Sequence, residues 1–157
     1  MIPVNVLVVF YSRYGEAEKL ALAAGVGAIR ARANIRLRRL TDLASPETIQ
    51  ADPAWSENLD RMKKDYIAPR ELDAQWADVL ILAAPDDCRT EMERFLEAAA
   101  GLLKGKLAAV IGPFHEAAVR AGLSVVSRGD LAEDKDGATA YGRLSAEDAR
   151  RKKQAES

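Results

Sequence analysis

Ser12-Arg13-Tyr14-Gly15 is the stretch of this chain best placed to do chemistry. It follows a run of β-branched and aromatic residues (Val4, Val6, Leu7, Val8, Val9, Phe10) and precedes apolar residues at helical spacing (Leu20, Leu22, Ala23, Val26, Ile29). A strand buried on both faces, a tight turn with a hydroxyl and a glycine, and a helix N-terminus together make an anion site. The N–H groups of the turn and the positive end of the helix dipole point at one spot. The anion that fits such a spot is the phosphate of a mononucleotide; a plain strand-to-helix turn with nothing bound is the alternative.

A second group of polar residues is Pro85-Asp86-Asp87-Cys88-Arg89, after the apolar run Val79 to Ala84. A third is Gly112-Pro113-Phe114-His115, after Leu107 to Ile111. Asp86, Asp87 and His115 on neighbouring loops have the ligand types for magnesium or manganese. Solvated loop acids and a first-turn histidine are the plainer reading, and the acids after the first strand that a receiver domain needs are replaced by Tyr11-Ser12. Cys88, the only cysteine, has no evident base near it and reads as a semi-exposed thiol rather than a nucleophile.

The elements that must position these loops are legible from periodicity. Ala17 to Arg32 carries a helical stripe. Asn34 to Leu40 alternates Ile35 and Leu37 with Arg36 and Arg38, as an edge strand does. Ser45-Pro46-Glu47 has serine and proline at the cap and first turn of a helix. The rest, to Pro69, is polar and reads as an irregular excursion. Met92, Phe95, Leu96, Ala99, Leu102 and Leu103 mark another helix. Phe114 to Ala121 has room for a short one before the strand Leu123 to Val126. From Ser145 onward little can be buried, and a short helix or frayed tail is expected. The predicted organisation is thus a domain over 1–144 and a terminal segment over 145–157.

Strands alternating with helices, all apolar except the second, predict a three-layer α/β sandwich around a five-stranded parallel sheet of order 2-1-3-4-5. Ligands of such a sheet sit where its winding reverses, beside the carboxyl end of the first strand. The loops meeting there are residues 12–16, 85–89 and 112–115. With 157 residues the chain can bury roughly two-thirds of its unfolded surface in one core. A net charge of −1 argues against a dedicated nucleic-acid binder, despite the arginines from Arg30 to Arg39 and the Arg150-Arg151-Lys152-Lys153 run. A single cysteine and a short N-terminal apolar run point to the cytoplasm and to no membrane partner.

Six stretches in order resemble the flavodoxin-like NAD(P)H:quinone oxidoreductases of the tryptophan-repressor-binding-protein (WrbA) type. They are Val6 to Gly15 with its S-x-Y-G turn, Glu71-Leu72 to Leu82, Met92-x-x-Phe95-Leu96, Gly105-Lys106-Leu107-Ala108, Gly137 to Gly142, and Ser145-Ala146-Glu147. The resemblance spans most of the chain. It implies a flavodoxin-like fold, non-covalent FMN, two-electron transfer from a nicotinamide to a quinone, and a dimer or tetramer. Carried over, Ser12, Arg13, Tyr14 and Gly15 hold the FMN phosphate with Glu16 and Ala17 beside them. Pro85, Asp86 and Asp87 flank the flavin ring, and Phe114 stacks on it.

The loops also depart from that family. Glu16 and Ala17 stand where it has a neutral or basic residue and then a small hydroxyl. Asp86 and Asp87 replace a threonine and an arginine, and the third loop is cut short. Two readings follow: an FMN-dependent oxidoreductase with a trimmed site, or a cofactor-free flavodoxin-like scaffold acting through oligomer or partner contacts.

Overall fold

The computed structural model describes residues 1–85, 88–127 and 134–157. The elements run β1 (Asn5–Phe10), α1 (Glu16–Arg30), β2 (Asn34–Arg39), α2 (Pro46–Gln50), α3 (Pro53–Asp65), α4 (Glu71–Trp76), β3 (Val79–Ala83), α5 (Arg89–Leu103), β4 (Leu107–Ile111), α6 (His115–Arg120), β5 (Ser124–Val125) and α7 (Lys135–Glu156). The five strands form one sheet of order β2-β1-β3-β4-β5, every pair parallel. Val8 pairs with Leu37 on one side and Ile81 on the other, and Ile81 with Ala109 in turn.

The period of two along each strand divides the core into two layers. Leu7, Val9, Tyr11, Leu80 and Leu82 face α4, α5 and α6. Val6, Val8, Phe10, Val79 and Ile81 face α1 and α7. β1 and β3 are buried throughout, whereas β2 is partly open along most of its length, as expected of an edge. At that edge the Asp73 carboxylate, fully buried, accepts from Arg36, Arg38 and Arg70 at 2.8 to 3.4 Å.

Two expectations from the sequence are corrected. The excursion after α2 is largely helical: Asp52 caps α3 by accepting the Trp55 N–H at 3.2 Å, and Pro53 occupies the first turn. Trp55, Leu59 and Met62, four and three residues apart, turn inward. The closing segment is not a frayed tail. It is the second half of α7, a 22-residue helix that starts at Lys135, capped by Asp134, and packs along α1. Gly27 and Gly142 face across that contact. A β-carbon on either would stand 1.9 Å from a backbone oxygen of the opposite helix. Tyr141 ties α7 to the sheet by accepting the Val110 N–H at 3.1 Å, and Arg150 donates to the carbonyls of Ile2 and Ala31 at 3.1 and 2.7 Å. Among the described residues no helix is long and apolar enough to cross a membrane.

Candidate anion and flavin site

β1 delivers Tyr11 and the turn 12–15 to its carboxyl end, with β3 directly alongside. Tyr11 donates its N–H to the Ala83 carbonyl at 2.9 Å, so the first and second loops start from one ladder. Ser12 is buried, and its Oγ accepts the Gly15 N–H at 2.9 Å, which closes the turn. Gly15 has φ +102°, a left-handed conformation that costs a side-chain-bearing residue strain. It enters α1 with no side-chain cap on the first-turn N–H groups. Those donors and the dipole of a 15-residue helix form the cradle.

The side chains around the cradle are sorted by type. Glu16, which stands where the resembling family has a neutral or basic residue, turns to solvent, 82% exposed, and pairs with Lys19 at 3.5 Å. Ala17 is buried. Tyr14 is exposed and donates its hydroxyl to Asp52 at 2.6 Å. That hydrogen bond, together with the Trp55 N–H, holds the Asp52 carboxyl below the usual carboxylate range.

Arg13 is the one cation of the turn, half-buried rather than in solution. Its guanidinium carbon lies 4.2 Å from the Trp55 ring centroid, and its Nε donates to the Tyr11 hydroxyl at 3.3 Å. Asn58 on α3 donates to the Arg13 carbonyl at 2.9 Å. Tyr11 donates to Asp42 at 2.8 Å, and Trp55 Nε1 reaches the same oxygen at 3.3 Å. Arg39 also pairs with Asp42. Burial works against the Arg13 charge, but the Tyr11 oxygen and the nearby Cys88 and Glu91 outweigh it and keep the guanidinium charged. Burial also pushes the Tyr11 hydroxyl far above the ordinary range, so it remains a proton donor to Asp42. Sequence reasoning missed this wall of Asp42, Asp52, Trp55 and Asn58; the signal available was Asp52-Pro53 followed by apolar residues at helical steps.

In the second loop Pro85 is half-buried, and its carbonyl accepts the Cys88 N–H at 3.1 Å. Cys88 is buried in the core, not semi-exposed as the sequence suggested. The flanking calls on Asp86 and Asp87 lie outside the described residues. In the third loop Gly112 adopts φ +133°, where a β-carbon would stand 2.4 Å from the Ala84 carbonyl oxygen. The second and third loops are therefore in contact. Phe114 is 2% exposed and packs in the core with Tyr11 and Met92. His115 opens α6. A cavity of about 570 Å³ lies beside these loops, lined by Arg89, Glu93, Pro113, Phe114, His115 and Arg120. Its lining includes none of residues 12–17. Among the described residues no three His, Cys, Asp or Glu side chains are grouped to hold a metal.

No family model matches the chain. Among curated proteins it is 30% identical over 110 residues to an NAD(P)H dehydrogenase (quinone) of Deinococcus radiodurans, an overlap of 68% of this chain and 54% of that protein. It is 32% identical over 115 residues to the protein of the same description from Brucella anthropi, an overlap of 69% and 54%. The chain thus spans about half the length of the curated relatives it matches. Among solved structures it superposes on an archaeal flavodoxin with a TM-score of 0.65 at 14% identity, covering 94% of this chain and 99% of that one. A diflavin flavoprotein A3 from Nostoc sp. gives 0.63 at 9% identity, over the full length of both chains. The chain is a flavodoxin-like protein, akin in sequence to quinone oxidoreductases. In this flavodoxin-like chain the uncapped N-terminus of α1 stands at the carboxyl end of β1, beside the β1–β3 reversal where such sheets receive ligands.

Proposed function

We propose that the chain binds FMN with its phosphate on residues 12–17 and works as an FMN-dependent NAD(P)H:quinone oxidoreductase of the tryptophan-repressor-binding-protein type. One observation carries the reading. The N-terminus of α1, entered through a left-handed glycine at the switch point of the sheet, has no side-chain cap. Its backbone donors suit a phosphomonoester in number and charge. The likeness to proteins described as NAD(P)H dehydrogenase (quinone) supports the reaction class.

In this reading Arg13, Tyr14, Glu16 and Ala17 present backbone N–H groups to the phosphate, while Gly15 supplies the left-handed turn and Ser12 fixes it by accepting the Gly15 N–H. Pro85 borders the ring side, where the family resemblance also assigns Asp86 and Asp87. When bound, FMN supplies the hydride and electron chemistry, so the protein needs no general acid or base of its own. Leu22, Val26 and Ile29 form an exposed apolar stripe on α1, which supports a homo-oligomer.

A cofactor-free scaffold is the second reading, favoured by the buried ring of Phe114 and by the third loop pressed onto the second. Titrating the purified protein with FMN separates the two. Quenched flavin fluorescence, co-elution of flavin on gel filtration and NADPH-driven quinone reduction are the expected results. A protein that stays colourless at excess FMN overturns the enzyme reading.

A further inference from the structure

The one cation of the anion turn is held by α3, a helix that arrives from outside the strand-to-helix unit it serves. The Arg13 guanidinium carbon sits over the Trp55 ring, 4.2 Å from its centroid, its Nε donates to Tyr11, and its own carbonyl is held by Asn58. Trp55 is in turn anchored through Nε1 on Asp42 and by packing against Ile49 and Leu59. Two restraints on the side chain and one on its backbone carbonyl reduce the rotamer freedom that an exposed arginine would lose on meeting a ligand. Nε takes one hydrogen bond, while the two terminal nitrogens keep the fork that matches phosphate oxygens. Glu16 is turned outward onto Lys19; the groups whose charges act on the guanidinium are Tyr11, Cys88 and Glu91, with Asp52 beside the turn, and they favour its charged form.

Resting on the FMN reading above, we infer that Arg13, clamped by Trp55 and Asn58 of α3, is the specificity-determining residue of the site. It selects a ligand ending in a dianionic phosphomonoester over the same ligand with an uncharged tail. A cradle of backbone N–H groups alone accepts monoanion and dianion with modest discrimination. A pre-placed guanidinium adds a charge-assisted contact that strengthens as the phosphate loses its second proton, with a pKa of about 6. α3 acts through Arg13 as a positioning element and does not touch the ligand.

The test compares FMN with riboflavin, which share the ring and differ in the phosphate. Dissociation constants are measured by flavin fluorescence quenching at pH 5 and pH 7.5 for the native chain, Arg13→Gln, Arg13→Lys and Trp55→Phe, with circular dichroism as the check on folding. The native chain is expected to prefer FMN and to bind it more tightly at pH 7.5. In Arg13→Gln the FMN-over-riboflavin preference falls at least about tenfold and the pH dependence flattens, while riboflavin affinity changes less than about twofold. Arg13→Lys recovers part of the preference, and Trp55→Phe, which keeps a ring under the guanidinium, retains most of it. An Arg13→Gln protein with native preference and native pH dependence overturns the inference and leaves the phosphate cradle standing. A native chain that binds neither flavin overturns the cradle, and the role of Arg13 with it.

Discussion

Gly142 on α7 meets Ala24 on α1 so closely that a β-carbon at position 142 would lie 1.9 Å from the Ala24 carbonyl oxygen. The relation is reciprocal one turn along, where Gly27 faces the Thr139 carbonyl at the same 1.9 Å. Backbone, not a flexible side chain, occupies the space. Gly142→Ala or Gly27→Ala must therefore separate the helices, at a cost of about 2 to 3 kcal/mol each. Urea denaturation reads this as a lowered midpoint. A midpoint within error of the native protein would show that the helices part freely.

The buried carboxylate of Asp73 gathers Arg36, Arg38 and the backbone and side chain of Arg70. Asp73→Asn leaves these guanidinium groups facing one another with no countercharge. A loss of about 3 kcal/mol is expected, at the lower end for a broken buried pair because Arg36 and Arg70 remain partly in water. Chemical denaturation of the variant measures it, and a double-mutant cycle with Arg38→Met isolates the share of that pair.

Acid sensitivity follows from the same carboxylate and from Glu18. Burial raises both, but Arg38 and Arg70 at Asp73, and Arg61 and Tyr66 at Glu18, more than reverse it and hold the two below their ordinary values of 3.8 and 4.5. A depressed folded-state value means the stability is fully present above those unfolded values and is lost as pH falls below them. The urea midpoint should hold steady from pH 7 to about 5 and then drop. In Asp73→Asn the acid limb should be shallower. At the alkaline end, burial raises Tyr11, Tyr66 and Tyr141 above 10.0, so stability should fall as pH climbs beyond that value.

Gly15→Val tests the cradle directly. Valine at φ +102° is strained, and straightening the turn moves the N–H groups that a phosphate needs. The variant should fail to quench FMN fluorescence at concentrations that saturate the native chain. Normal FMN binding by this variant would place the phosphate elsewhere.

The sheet was readable because its strands differ in kind. The unbroken apolar runs of β1 and β3 require cover on both faces, and the Arg36/Arg38 alternation of β2 allows it only at an edge, which fixes the order around β1. The closing helix was harder to see. α7 buries Ala138, Gly142, Ser145, Ala146 and Ala149, small residues whose hydropathy is weak and whose contribution is close approach to α1. At the site, the turn 12–15 was legible from local pattern. The clamp on Arg13 was not, because Trp55 and Asn58 arrive from about forty residues away and no local spacing announces that meeting. The burial of Phe114 was hidden for a related reason: an aromatic in a loop reads alike whether it points to a ligand or into the core.

The outer border of β2 is already occupied. The Ile67 carbonyl accepts the Arg39 N–H at 2.9 Å, Ile67 pairs with Arg38 as a parallel bridge, and the strand beneath bristles with guanidinium groups. A foreign segment seeking to lengthen the sheet there would have to evict that bridge and strip three cations of their counterion at once. Crowded preparations of this protein should consequently resist seeding into fibrils from that margin, and the arginines that looked like a binding patch serve instead to keep neighbours off.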